Sequence, residues 1–471
     1  MTASTVKIRT RFAPSPTGPL HLGNARSALF SFIFSRQNSG QFILRIEDTD
    51  LERSDPVFEK DILEGLKWLG INWDEFYRQS ERLDIYEKYL KFLLAKKVIF
   101  WCPHSEKELA LERQAKMAKK EPPVHICPHR DETLVQDPKN ILRFRNDAGE
   151  NIVFDDLIRG RINFSPKILG DFSVAKNLRS PLYNFAVAVD DSETKISHVI
   201  RGEDHISNTP KQILIQEALG FQRPFYAHLP MILGQDRSKL SKRHGAASLL
   251  EYRKLGYLAE AVLNFLILLG WHPKDEKEIF TMEEILKEFI LDRVQKGGAV
   301  FNIDKLNWLN REYIKKLDAP DLSSRLEEYA GKWTRQIKND PEKWLKIAAL
   351  MRERLTTLAQ AGENMAYFYE EPYFSKELLF WKEEQNAENI LRHLTYFYSL
   401  FEKFDEKEWI KEKFSKEVMA YADKEGRGWT LWPLRAALSG RKTSPDPIDI
   451  AEILGKKETL SRLKKAISLF S

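Results

Sequence analysis

The stretch Arg11-Phe12-Ala13-Pro14-Ser15-Pro16-Thr17-Gly18-Pro19-Leu20-His21-Leu22-Gly23-Asn24 constrains the fold more than any other part of the chain. Ahead of it, apolar and polar residues alternate from Val6 through Ile8 to Phe12, which is the period of a strand. Prolines and a glycine then force a loop, and helical spacing begins at about His21 and runs through Phe34. The succession predicts strand, phosphate-sized loop, helix. A loop entering a helix collects unpaired backbone N–H groups at the positive end of the helix dipole, a natural seat for polyphosphate. Asn38-Ser39-Gly40 then stops the helix, and Gln41 to Asp48 reads as a second, buried strand. Strand, helix, strand at this spacing is a βαβ unit with a parallel sheet, whose ligands lie at the carboxyl ends of the strands. Glu47-Asp48-Thr49-Asp50 falls at that edge, where acidic groups can meet an ammonium, a ribose or a metal.

A second stretch, Asp236-Arg237-Ser238-Lys239-Leu240-Ser241-Lys242-Arg243-His244-Gly245, packs two lysines and two arginines into seven residues and closes on a glycine. That describes a mobile cationic loop. Together, His21-Leu22-Gly23-Asn24 and Lys239-Leu240-Ser241-Lys242-Arg243 resemble the paired nucleotide signatures of class I aminoacyl-tRNA synthetases. With Ser15-Pro16-Thr17-Gly18 in front, the first resembles that of the bacterial glutamyl-tRNA synthetases. The glutaminyl enzymes normally carry Glu-Pro-Asn-Gly there and a β-barrel anticodon region, whereas the carboxyl half of this chain has helical periodicity.

The resemblance implies ATP-dependent activation of L-glutamate, with magnesium on the phosphates, and transfer to the terminal ribose of tRNA(Glu). It implies catalytic roles for His21, Lys239 and Lys242. ATP would be held by Ser15, Pro16, Thr17, Gly18, His21, Gly23, Asn24, Lys239, Leu240, Ser241, Lys242 and Arg243. Glutamate would be held by Arg11, Ala13, Ser15, Glu47, Tyr183 and Arg201. Two arginines suit a substrate with a side-chain carboxylate, because guanidinium binds carboxylate in bidentate fashion. Asn24 stands where the wider class has a second histidine, and an amide donates a hydrogen bond without charge. The alternatives are a synthetase that also charges tRNA(Gln) and a catalytically silent tRNA-binding relative; the intact lysines of the cationic loop speak against the latter.

Both cysteines of the chain lie in identical tripeptides, Cys102-Pro103-His104 and Cys127-Pro128-His129, on either side of one helix that Ser105 caps with Glu108 three residues later. Cysteine and histidine are the preferred ligands of zinc, so Cys102, His104, Cys127 and His129 are a candidate four-coordinate site for one zinc per chain, and His125 is an alternative to one of them. Some glutamyl-tRNA synthetases carry zinc here, usually with a second cysteine where this chain has His104. With only two cysteines there is no disulfide framework, which fits a reducing compartment.

At 471 residues several domains are expected. A hydrophobic share of 42% with 30% charged residues is that of a globular protein, and no apolar run is long enough for a bilayer. The amino end lacks a signal pattern, so a cytoplasmic monomer without membrane association is expected. A net charge of +5 permits local phosphate-contacting patches without requiring them.

The expected fold is multidomain α/β. Residues 1–97 and 192–245 form a Rossmann-type parallel-sheet catalytic domain, split by an α+β insertion at 98–191 that holds the tRNA acceptor end in the family. A helical stem-contact domain at 246–320 and an all-α anticodon-binding domain at 321–471 complete the chain, with Ala319-Pro320 as linker. Helices are expected over Pro56 to Leu69 and Ser80 to Lys96, the latter capped by Ser80. Most of the tryptophans Trp333, Trp344, Trp381, Trp409, Trp429 and Trp432 are expected in core positions.

Overall fold

The structure is a computed structural model that describes residues 7–50, 52–240, 248–382 and 386–470. Its strands in chain order are β1 (Arg9–Phe12), β2 (Gln41–Ile46), β3 (Glu75–Arg78), β4 (Ile99–Cys102), β5 (Ile141–Phe144), β6 (Ile152–Asp156), β7 (Gly160–Phe164), β8 (Phe172–Asn177), β9 (Ser180–Pro181), β10 (His198–Gly202), β11 (Phe225–Leu229), β12 (Ile232–Leu233) and β13 (Ala299–Val300). The principal sheet has seven strands in the order β3-β2-β1-β10-β11-β6-β7. All neighbours are parallel except the terminal β6–β7 hairpin. This is the expected Rossmann-type sheet, and β1 lies in its middle, flanked by β2 and β10. Such strands are buried on both faces, which is why β2 reads Phe42-Ile43-Leu44 without alternation.

Helix α1 (Leu22–Gln37) joins β1 to β2, and α2 (Pro56–Trp68) joins β2 to β3. Asp55 caps α2 by accepting from Val57 N, with Pro56 opening the first turn, where a missing N–H costs nothing. Helix α3 starts later than expected, at Leu83–Ala95, after a 3₁₀ turn at Gln79–Arg82. Ser80 is not its cap: its N–H and hydroxyl both donate to the Asp48 carboxylate, at 2.9 and 2.6 Å.

The insertion contributes to two sheets. Strands β4-β5-β8-β9 form a separate antiparallel sheet, whereas β6–β7 extends the principal one, with Asp156 paired to Tyr226 of β11. Phe154 packs edge-on against Tyr226 at 5.7 Å, and one apolar core runs from Ile43 of β2 through Phe154 to Phe144 and Phe172 of the smaller sheet. Helix α4 (Glu106–Ala118) carries the expected capping box of Ser105 and Glu108. Helices α5 (Tyr183–Glu193) and α6 (Thr209–Leu219) lead back into the sheet, α6 ending on left-handed Gly220.

The chain divides into two compact units, residues 1–253 with 259–309, and residues 254–258 with 310–471. The second is helical throughout its described residues. Ala319-Pro320 is not a linker but the first turn of a helix, Ala319–Leu326, which Asp318 caps by accepting from Asp321 N. Trp333, Trp344 and Trp409 are buried as expected, and Trp344 and Trp409 donate their indole N–H groups to Ser323 O and Ala451 O. Trp429 is 38% exposed and meets Trp381 edge-to-face at 4.5 Å. Among the described residues no helix is long and apolar enough to cross a membrane.

Candidate active site

The carboxyl ends of β1, β2 and β10 converge on a group of buried charges that the sequence names only in part. Arg11 leaves β1, Arg45 and Glu47 leave β2, Tyr183, Asp190 and Asp191 come from α5, and Arg201 comes from β10. Arg45 is fully buried; it donates to Asp191 at 2.7 Å and to Glu47 at 3.1 Å, and its Nε lies 3.6 Å from Asp190. Arg11 Nε reaches the same Asp191 oxygen at 3.3 Å. Burying charges without partners is prohibitive, and this group balances three carboxylates against two guanidiniums with a third close by. Asp190 also accepts from Gln79 at 2.8 Å, and from Arg82 and Tyr86 at 2.7 Å each.

Burial pushes the Glu47 carboxyl up to about 7, against the opposing pull of Arg45 and Arg11. For Asp191 burial is outweighed by Arg11 and Arg45, which hold it below the usual carboxylate range. The Tyr183 hydroxyl is pushed up to about 12, chiefly by burial and then by the charge of Glu47, with Arg201 and Arg11 opposing. Tyr183 therefore feels the charges of Glu47, Arg201 and Arg11.

Arg201 is held at two of its three guanidinium nitrogens. Its Nε donates to His228 Nε2 at 3.2 Å, and its Nη2 donates to Thr209 Oγ1 at 2.8 Å and Gln212 Oε1 at 2.9 Å. Its Nη1 is buried without a partner among the described residues. One donor nitrogen of this guanidinium is thus left without a described protein partner, and guanidinium N–H groups are strong donors to carboxylates.

The nucleotide side is organised by α1. His21 is its N-cap: the ring Nδ1 accepts from Gly23 N at 3.1 Å and Asn24 N at 3.4 Å. The ring is thereby fixed with Nε2 as the position open to a ligand. Pro14 O accepts from Glu47 N at 2.9 Å and Pro16 O from Asp55 N at 3.0 Å, so the Ala13 to Gly18 loop is strapped to the segment after β2, with Ser15 and Thr17 exposed. The cationic segment begins as a tight hairpin on β12, with Leu240 N bonded to Ile232 O at 3.0 Å. Lys239 Nζ lies 3.8 Å from Asp204. Burial and then the charge of Lys239 lower the basicity of His21, while Asp204 opposes them. Beyond the segment, Leu249 N donates to Leu20 O at 2.7 Å and Ser248 bridges His21. The chain just past the cationic segment is thus joined to the start of α1. Ser241, Lys242 and Arg243 lie outside the described residues.

The cysteine–histidine cluster has a different membership from the two tripeptides. Cys102, His104, His125 and Cys127 place their ligand atoms within 4.8 Å of one another. The two sulfurs are 3.6 Å apart, and His104 Nδ1 lies 3.4 and 3.7 Å from them. His129 is not of the group: its ring stands 5.4 Å from that of His104, and its Nδ1 meets Glu132 at 2.7 Å. His125 takes its place because Asp171 N clasps His125 O at 2.7 Å and Glu112 meets its Nδ1 at 2.6 Å, leaving Nε2 3.7 Å from Cys102 Sγ. Tetrahedral ligands about 2.0–2.3 Å from one centre stand about 3.3–3.8 Å apart; the four distances among Cys102, His104 and Cys127 and from Cys102 to His125 lie in that range, and two thiols with two imidazoles are a donor set that suits zinc.

Comparison with known proteins gives one consistent picture. Residues 7–308 match the family described as tRNA synthetases class I (E and Q), catalytic domain, and residues 321–467 match an anticodon binding domain. The glutamate–tRNA ligase of Carboxydothermus hydrogenoformans is 44% identical over 97% of this chain and 99% of its own length. That of Aquifex aeolicus is 42% identical over 99% and 100%. A solved glutamate tRNA ligase from Elizabethkingia meningosepticum superposes with a TM-score of 0.85 at 32% identity, covering 99% of this chain and 100% of that one.

Proposed function

The chain belongs to the class I tRNA synthetases (E and Q), and on that premise we infer that it is a glutamate–tRNA ligase whose pocket reads its substrate through paired guanidiniums. The α-carboxylate of glutamate attacks the α-phosphate of ATP and pyrophosphate leaves, giving glutamyl-adenylate; the terminal ribose hydroxyl of tRNA(Glu) then attacks its carbonyl carbon and AMP leaves. The protein's share is positioning and charge stabilisation.

Arg11 and the Nη1 donor of Arg201 receive the side-chain carboxylate, Tyr183 packs along the substrate, and Glu47 faces its ammonium group; Ala13 and Ser15 border it from the loop. Ser15 to Gly18, His21, Gly23 and Asn24 hold the nucleotide at the start of α1, where the helix dipole favours phosphate. Lys239, Leu240, Ser241, Lys242 and Arg243 close over it. Lysine ammonium groups suit phosphate oxygens that gain charge in the transition state. Magnesium brought with ATP would neutralise phosphate charge. Zinc, held by Cys102, His104, His125 and Cys127, would fasten β4 to the segment after α4 in the insertion that receives the acceptor end. The helical unit would bind the anticodon, and the enzyme would work as a cytoplasmic monomer.

The observation that carries this reading is the buried, unpartnered Nη1 of Arg201 in the neighbourhood of Arg11. Neutral glutamine would leave one donor edge unmatched, which is costly in a buried site. Aminoacylation with purified tRNA(Glu) and tRNA(Gln), each offered glutamate and glutamine, tests it. Glutamate on tRNA(Glu) is the expected product, and preferential use of glutamine overturns the reading.

A further inference from the structure

The orientation of the Arg201 guanidinium is set by a hydrogen-bonded chain that runs through three strands. Asp156 ends β6, His228 lies in β11 and Arg201 in β10. The Asp156 carboxylate accepts from Ile158 N at 3.0 Å, Arg159 N at 2.8 Å and His228 N at 3.3 Å, and it lies 2.6 Å from His228 Nδ1. An ionised carboxylate only accepts, so the proton between them belongs to His228 Nδ1. His228 Nε2 is then a lone-pair acceptor, and Arg201 Nε, which only donates, lies 3.2 Å from it. The Thr209 hydroxyl is 3.1 Å from the same nitrogen and also receives Arg201 Nη2. His228 and Asp156 are both buried, so neither is placed by solvent.

We propose that His228, with its tautomer locked by Asp156, is a positioning residue that aims Arg201 at the substrate's side-chain carboxylate and so helps set the preference for glutamate. This rests on the reading of Arg201 given above. The direction of every bond is dictated by the carboxylate: Asp156 accepts, His228 relays, Arg201 donates. With the opposite tautomer, His228 Nε2–H would face Arg201 Nε–H, two donors with nothing between them. The histidine touches no substrate; it acts through the arginine.

Steady-state glutamylation of tRNA(Glu) by Asp156→Asn, His228→Leu, His228→Gln and Arg201→Lys variants tests this. Asparagine is isosteric with Asp156 but can donate to Nδ1 and so reverse the tautomer. Asp156→Asn and His228→Leu are expected to raise KM for glutamate by about tenfold to a hundredfold, the loss typical of a charged hydrogen bond. The KM for ATP should stay within about twofold, which a misfolded protein would not achieve. His228→Gln, which keeps an acceptor, is expected to retain most of the affinity. Selective ¹⁵N labelling of histidine in the unsubstituted enzyme should show His228 protonated at Nδ1 and bare at Nε2. An unchanged KM for glutamate in both Asp156→Asn and His228→Leu, beside a raised one in Arg201→Lys, overturns the positioning role; so does a proton found on Nε2. An unchanged KM in Arg201→Lys instead overturns the assignment of Arg201 itself.

Discussion

The backbone N–H of Leu249 donates to the carbonyl oxygen of Leu20 at 2.7 Å, joining the residue just before the signature histidine to the chain just past the cationic stretch. Below this stitch, Gly65 of α2 leaves room for both side chains: a Cβ there would stand 3.1 Å from a methyl group of each leucine. Residues far apart in sequence are thus brought to one helix start, and that start is where a polyphosphate is best received.

Lys242→Ala is expected to lower adenylate formation about a hundredfold to a thousandfold, the scale on which removal of one transition-state donor acts, while the thermal midpoint stays unchanged. Lys239→Ala should cost less, because Lys239 shares its charge with Asp204 in the resting enzyme. ATP–pyrophosphate exchange in the presence of tRNA(Glu) measures both; undiminished exchange in Lys242→Ala refutes the assignment.

The raised affinity of Glu47 for its proton gives a pH dependence with a definite sign. Its ordinary value is 4.5 and its folded value about 7, so the folded protein binds a proton that the unfolded chain has released between those values. This contribution to stability is present below about pH 4.5 and is lost as pH rises towards 7, as linkage requires. Substrate binding runs the other way, because an ammonium group needs the ionised carboxylate. kcat/KM for glutamate should therefore rise with pH to a plateau above about 7, and Glu47→Gln should flatten that limb while lowering the plateau. A profile identical in enzyme and variant would remove Glu47 from the pocket.

Metal analysis should return one zinc per chain. Cys127→Ala and His125→Ala are expected to lose it, and His129→Ala to keep it, since His129 faces Glu132 outside the cluster. Equal metal loss in His129→Ala and His125→Ala would contradict the ligand set.

Arg45→Met removes the cation shared by Asp190, Asp191 and Glu47. Breaking a buried ion pair from one side costs about 3–5 kcal/mol, and denaturant unfolding should show a loss of that size. A loss below about 1 kcal/mol would mean that the carboxylates find other partners or protons, as exposed ones do.

Local chemistry made the strand, loop and helix at Arg9 to Gln37 readable, because prolines, a glycine and the change from period two to helical spacing all agree there. Arg11, Glu47, Tyr183 and Arg201 were named as substrate residues through family resemblance alone. Arg45, Asp190 and Asp191 were not: a charge in an apolar run shows that a partner exists but does not name it, and the partners lie on another element. Ser80 looked like a helix cap since hydroxyls favour that position, yet Asp48 competes for the same groups. His129 won over His125 on paper through the symmetry of two tripeptides, whereas the fold chose by the clasp of Asp171 and Glu112. Likewise, Ile152-Val153-Phe154 alternates well enough for a strand without indicating which sheet it joins.

That last placement bears on engineering. The β6–β7 hairpin covers the flank of β11 and brings Asp156 into contact with His228, so the insertion cannot be lifted out as a cassette at its sequence borders. A chimera exchanging residues 98–191 with a relative would swap part of the scaffold around Arg201 along with the rest of the insertion. A deletion there would bare the backbone of β11 as a sticky rim ready to recruit another molecule's strand. Grafts intended to alter tRNA preference alone should leave β6 and β7 native and trade only the small sheet and α4.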